Sequence, residues 1–233
     1  MPLWHIVVVG QSNANGGGGV ALSTSTPAYT PQPLMFNNGV RPGGIAGNIA
    51  SLVPLVESTG GDQAGAETIC SGMAKQLNVL YPQSQFLFSV AAIGGTAYAA
   101  MKKGTTTYNN VLAQVTSAKA IAQAGGRPYK VLAICNLHGE QDQLLNNTSY
   151  AANLLEWQSD YETDIKAITG QAGTIPMFVD QQSSDPCSGV TAPTPKYVYD
   201  AWKSQPTKVV LLGARYTYQP AETVSNLHFS SYG

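Results

Sequence analysis

Apolar residues recur along this chain in two alternating patterns. Leu3–Val9, "LWHIVVV", is a continuous apolar run of strand length, the pattern of a strand buried on both faces. Four similar runs follow, in "QFLFSVAAIGG" (85–95), "YKVLAICNL" (129–137), "TIPMFVDQQ" (174–182) and "TKVVLLGA" (207–214). Between them lie stretches with helical spacing. Residues 64–82 carry Ile69, Met73, Leu77 and Leu80 and are stopped by Pro82. Further helices are predicted over 108–126, closed by Gly125–Gly126, over 149–169, and briefly over 195–204. Residues 14–63 break both patterns with Gly, Pro, Ser, Thr and Asn. They read as a long ordered loop region, of a kind that is usually functional inside a compact domain. Strands alternating with helices predict one α/β domain over 1–233, built on a doubly wound, mostly parallel five-stranded sheet. Ligands of such sheets sit outside the carboxyl ends of the strands.

The chemistry-bearing residues fall at those ends. "GQSN" places Ser12 just after the first strand, "GGT" places Gly94 and Gly95 after the second, and "HGEQD" places His138–Asp142 after the third. A serine hydroxyl needs a neighbouring base to act as a nucleophile, and hydrogen-bond donors aimed at the oxyanion it creates. The backbone N–H of Ser12 and of Gly94 or Gly95 are candidates for those donors. Ser12 as a simple helix or turn cap is the competing reading. The stretch "GQSNANGGGG" has no P-loop lysine and does not match G-x-G-x-x-G, so a phosphate cradle is set aside. Three histidines are available as a base: His5 inside the first strand, His138 at the end of the third, and His228 near the end of the chain.

Composition narrows the partners. Only 11% of the residues are charged and the formal net charge is -1. No basic patch points to nucleic acid, and no apolar run approaches the roughly 20 residues of a membrane span. The surface must be built from Ser, Thr, Asn, Gln, Gly and Tyr, a flavour that suits sugars and is common in secreted and virion-associated proteins. "MPLW" has no charged n-region, so no signal peptide is expected at the start; export by another route, or a leader already removed, would reconcile this with a secreted location. Cys70, Cys135 and Cys187 match no zinc or redox spacing. Cys70 and Cys135 read as small core residues and Cys187 as a loop residue, and neither a metal nor another cofactor is expected.

Taken in order, "GQSN", "GGT", "HGEQD" and a histidine near the end resemble the SGNH/GDSL hydrolases. The likeness is to the sialate O-acetylesterase and acetylxylan-esterase branch, including esterase domains of phage tail proteins, and it runs from Gly10 to His228. The resemblance implies a flavodoxin-like three-layer sandwich and a carbohydrate O-acetylesterase that works through an acyl-enzyme. By position it makes Ser12 the nucleophile and His228 the general base. Ser12, Gly94, Gly95 and His138 would form the oxyanion hole, with Asn136 as fallback for the side-chain donor, and Asn13 would brace the serine loop.

Two features depart from the family. The expected D-x-x-H has Ser225 where the aspartate belongs. Glu140 is the preferred partner for His228, with a backbone carbonyl near Ser225, Asp185 or Glu222 as the alternatives. Glu140 and Asp142 also read as simple braces of their turn. The second departure is the ending at Gly233, where relatives continue into a helix that covers one face of the sheet. The helix lying elsewhere, another chain or a homo-oligomer covering the gap, and a trimmed chain are all left open. The implied partner is an acetylated carbohydrate, and the implied location is extracellular or on a phage tail. Tyr29, Trp157, Trp202, Tyr216 and Tyr218 are candidate sugar-stacking residues, more simply read as ordinary core or surface aromatics. The competing functions are a general esterase or lipase, and a carbohydrate-binding or virion structural module that kept the fold without activity.

Overall fold

The computed structural model describes residues 1–28, 30–57, 66–182 and 194–214. Seven strands form one sheet: β1 (Leu3–Gly10), β2 (Leu34–Phe36), β3 (Leu52–Pro54), β4 (Gln85–Ala92), β5 (Tyr129–Leu137), β6 (Met177–Gln181) and β7 (Val209–Ala214). Their spatial order is β3-β2-β4-β1-β5-β6-β7, parallel throughout except for the antiparallel β2–β3 pair. The five expected strands are all present. The two additional ones lie inside the segment read as loop, where three-residue strands are too short to show alternation.

The helices are α1 (Ile69–Leu80), α2 (Thr106–Ala124), α3 (Glu140–Leu144), α4 (Tyr150–Thr169) and α5 (Thr194–Ser204). Their ends follow capping chemistry. The Thr68 side chain accepts the Cys70 N–H at the start of α1, and α4 closes on Gly170 in the left-handed conformation. The α2 stop at Gly125–Gly126 falls where the sequence placed it.

Side chains of β1 alternate between two cores. Val7 and Val9 face α2 and α4 together with Trp157, Tyr161, Val111 and Val115. Ile6 and Val8 face α1 with Phe86, Phe88, Cys70 and Ala74. The buried stripe of α1 is set by Cys70 and Ala74, flanked by Ile69, Met73 and Leu77, whereas Leu80 is exposed. Cys70 and Cys135 are buried and unpaired, as read from the sequence, and Cys187 lies outside the described residues. Among the described residues α1 is the helix on its side of the sheet. Beside it the amino-terminal halves of the strands border an apolar groove of about 730 Å³, lined by Trp4, Leu77, Tyr81, Phe86, Phe178 and Leu212 among others. No helix among the described residues is long and apolar enough to cross a membrane.

β1 is the strand at which the chain reverses its direction of winding. Strands β2–β4 lie on one side of it and β5–β7 on the other, which opens a crevice above its carboxyl end. Gly10 pairs with Ala92 on one side and Leu137 on the other, so the three central strands end level.

Candidate active site

The turn after β1 is made possible by Gly10. Its φ is +137°, and a Cβ there would stand 2.1 Å from the Leu137 carbonyl oxygen, so no other residue fits without moving β5. The Gln11 N–H then bonds the same carbonyl at 3.0 Å, and Ile93 N–H reaches Gly10 O at 3.2 Å. Those two bonds fasten the serine turn to both flanking strands. The turn closes on itself through Asn15 N–H to Gln11 O (3.0 Å) and Gly17 N–H to Ser12 O (2.7 Å). Ser12 is half-buried at this edge.

Gly94 lies directly beside it, since a Cβ on Gly94 would come within 3.9 Å of the Ser12 Cβ. Gly94 and Gly95 are exposed, Gly95 is left-handed at φ +63°, and neither N–H takes part in a hydrogen bond of the described residues. The structure therefore brings Ser12 and Gly94 together, with donors left over for a ligand.

The His138–Asp142 segment supports both loops. The Asn13 amide donates to Glu140 Oε1 at 3.0 Å, joining the serine turn to the first residue of α3. Glu140 is buried at 5% exposure, a cost that a carboxylate meets only with hydrogen bonds or charge nearby. Asp142 accepts the Tyr98 backbone N–H at 2.8 Å and the Asn147 amide at 2.6 Å. That fastens the segment just beyond Gly94–Thr96, so Asp142 is a brace that reaches past its own turn. Gly139, at φ +130°, lets the buried Gln182 side chain lie where a Cβ would be, with Nε2 2.3 Å from that position.

His138 lies against the Gly94–Thr96 loop. Its Nε2 stands 2.8 Å from the Thr96 carbonyl, which can only accept, so that nitrogen carries the proton. Nδ1 sits 2.9 Å from the Tyr150 hydroxyl, and the ring is fully enclosed between Tyr150 (stacked, centroids 5.8 Å) and Trp157 (edge-on, 5.2 Å). Through the Thr96 bond the imidazole holds the glycine loop in place. The fallback Asn136 is buried, its amide directed at the Met177 sulfur at 3.6 Å. Trp157, weighed as a sugar-stacking residue, is wholly buried, and Trp202 packs partly buried against the same core. His228, Asp185, Glu222, Ser225, Tyr29, Tyr216 and Tyr218 lie outside the described residues.

Sequence reasoning passed over the support beneath the serine turn. Arg41 is buried and donates from Nε to Asn15 O (3.0 Å) and from Nη2 to Ala66 O (3.1 Å). Glu67 accepts Ser23 N–H at 3.0 Å and Ser23 Oγ–H at 2.7 Å, tying down the far end of the glycine run. The signal available was Arg41 itself, one of 12 basic residues in a chain so poor in charge, set in "VRPGG" amid uncharged loop. Among the described residues no group of three His, Cys, Asp or Glu side chains could hold a metal ion.

No protein-family model matches this sequence, and no curated protein matches it either. Solved structures do match in shape. A protein from Arabidopsis thaliana aligns over 99% of this chain and 92% of its own, with TM-score 0.68 and 14% identity, and confirms the α/β fold. A carbohydrate acetylesterase from Xanthomonas citri aligns over 91% of this chain and 49% of its own (TM-score 0.49, 16% identity). An acetyl xylan esterase variant from Geobacillus stearothermophilus aligns over 98% and 87% (TM-score 0.49, 13% identity).

Proposed function

We propose that this chain is a serine esterase that removes O-acetyl groups from a carbohydrate. The observation that carries the reading is the pairing of half-buried Ser12 with the exposed Gly94 loop at the crevice above β1. In the proposed reaction the Ser12 Oγ attacks the acetyl carbonyl while His228 takes its proton. The N–H groups of Ser12 and of Gly94 or Gly95 face the oxyanion that develops. Collapse of the tetrahedral intermediate expels the sugar oxygen, which receives the proton from His228, and leaves acetyl-Ser12. Water, deprotonated by the same histidine, then releases acetate and restores the serine.

Glu140 is the proposed partner of His228. Its buried carboxylate is linked to the serine turn through Asn13, which supports this choice over the loop acids. His138 moves in this reading from oxyanion donor to support of the Gly94–Thr96 segment. The low-charge, Ser/Thr/Asn-rich surface agrees with a neutral polysaccharide or glycan as substrate and with an extracellular or phage-tail setting.

Hydrolysis of p-nitrophenyl acetate by wild type, Ser12→Ala and His228→Ala tests the reading. Both substitutions are expected to bring the rate to background, and a fluorophosphonate is expected to label Ser12 in the wild type. Equal background rates in all three proteins would remove the esterase and leave a carbohydrate-binding module. Acetate release from an acetylated polysaccharide, set against cleavage of long-chain esters, separates a carbohydrate esterase from a lipase.

A further inference from the structure

The serine turn rests on a buried guanidinium. Arg41 spans two backbone carbonyls, Asn15 O within the turn and Ala66 O just ahead of α1. Gly16 lies against the guanidinium so closely that a Cβ there would stand 2.9 Å from Nη2. The next residue, Gly17, donates its N–H to Ser12 O, and a Cβ on it would come within 3.1 Å of the Ser12 Cβ. One turn of backbone thus separates the guanidinium from the candidate nucleophile.

Glu57 is the acidic residue whose charge Arg41 feels most. It is 1% exposed, accepts the hydroxyls of Thr68 (2.7 Å) and Ser71 (3.1 Å) on Oε1, and its backbone N–H reaches Ser23 O at 2.8 Å. Arg41 and Glu57 interact through their charges, and burial pushes the Glu57 carboxyl up and the Arg41 guanidinium down. Arg41 Nη1 and Glu57 Oε2 are buried with no hydrogen-bond partner among the described residues. A buried guanidinium is costly to desolvate, and apolar residues of similar volume commonly match or exceed buried charge in stability. What Arg41 supplies that apolar residues cannot is direction: a planar fork that holds two particular carbonyls in one geometry.

We propose that Arg41 is the positioning residue that sets the Ser12 turn for attack. This rests on the esterase reading above. The guanidinium holds Asn15 O, the turn hydrogen bonds carry that constraint to Ser12, and Glu67 anchors the same loop further on at Ser23. Arg41 does not touch the reacting atoms, so its loss leaves the ester-binding surface in place and misaligns the nucleophile.

The test compares wild type with Arg41→Met/Glu57→Gln and with Arg41→Lys, using p-nitrophenyl acetate turnover, fluorophosphonate labelling of Ser12 and urea unfolding. The double variant is expected to fold with an unfolding midpoint near that of wild type. Its kcat and Ser12 labelling rate are expected to fall by about 100-fold, the scale of a misplacement of about 1 Å, with KM little changed. Arg41→Lys keeps the charge without the fork and is expected to lose labelling as well, and it decides the matter if the double variant fails to fold. Folded variants that label at the wild-type rate overturn the proposal while the esterase reading stands. A wild type that neither labels nor turns over removes both.

Discussion

His5 provides a prediction whose size follows from its surroundings. The imidazole is wholly buried in β1, with Nδ1 2.7 Å from the Tyr129 hydroxyl and Nε2 2.8 Å from the Ser89 hydroxyl. Both partners are neutral, and burial pulls the His5 pKa from 6.5 down to about 3. The unfolded chain therefore binds a proton below pH 6.5 that the folded chain refuses until about pH 3. The associated stability is fully present above pH 6.5 and is lost as the pH falls through the interval. At about 1.4 kcal/mol per pH unit the loss is about 2 kcal/mol between pH 7.5 and 5, approaching about 5 kcal/mol near pH 3. The perturbation that isolates it is the triple variant His5→Phe/Ser89→Ala/Tyr129→Phe. It removes the titrating ring together with the hydroxyls that would otherwise be stranded. Urea unfolding of both proteins at pH 7.5 and pH 5 is the assay, with all other groups common to the two. Wild type is expected to lose about 2 kcal/mol more than the variant over that range. Parallel pH profiles would refute the reasoning, because they would show that His5 titrates alike in the folded and unfolded chains.

Gly10→Ala is expected to cost about 3 kcal/mol or more in urea unfolding, since its Cβ would collide with the Leu137 carbonyl at 2.1 Å. Gly72→Ala, on the exposed side of α1 with nothing within 4 Å of the new Cβ, is expected to stabilise the fold by about 0.5–1 kcal/mol in the same assay. Asp142→Ala strands the Tyr98 N–H and is expected to cost about 1–3 kcal/mol, with amide exchange at Tyr98 accelerated in NMR. Glu140→Gln is expected to reduce p-nitrophenyl acetate turnover far more than Asp185→Asn, and the reverse order would move the acid to the loop.

Much of this architecture could be read from the chain because its signals are local. The unbroken apolar run of β1, the Pro82 stop and the Gly125–Gly126 cap each act within a few residues, and each landed where the pattern placed it. Strands β2 and β3 could not be read that way. Three residues give no period, and what makes Leu34–Phe36 a strand is the pairing of Leu34 with Leu87 on β4. The α1 stripe differs from the apolar spacing at one end: small Ala74 is buried in the same core as Phe88 and Val8, while Leu80 is exposed.

The site divides along the same line. The sequence by itself determined which residues stand at strand ends: Ser12 behind Gly10, the Gly94–Gly95 pair, and the polar block from His138 to Asp142. Apolar runs and turn residues are properties of the local chain, and they survive any arrangement of the strands. Only the tertiary structure decided that the three ends are neighbours, because the order β4-β1-β5 and a register that levels Gly10 with Ala92 and Leu137 are non-local. It also decided the work of each polar group. His138 is a reactive residue type at a strand end, yet Thr96, Tyr150 and Trp157 close around it and spend its proton on a loop carbonyl. Arg41 is an unremarked cation in a glycine-rich loop, and folding brings it beneath the serine turn. A side chain's chemistry belongs to its residue type, whereas the partners that use up that chemistry or leave it free come from packing.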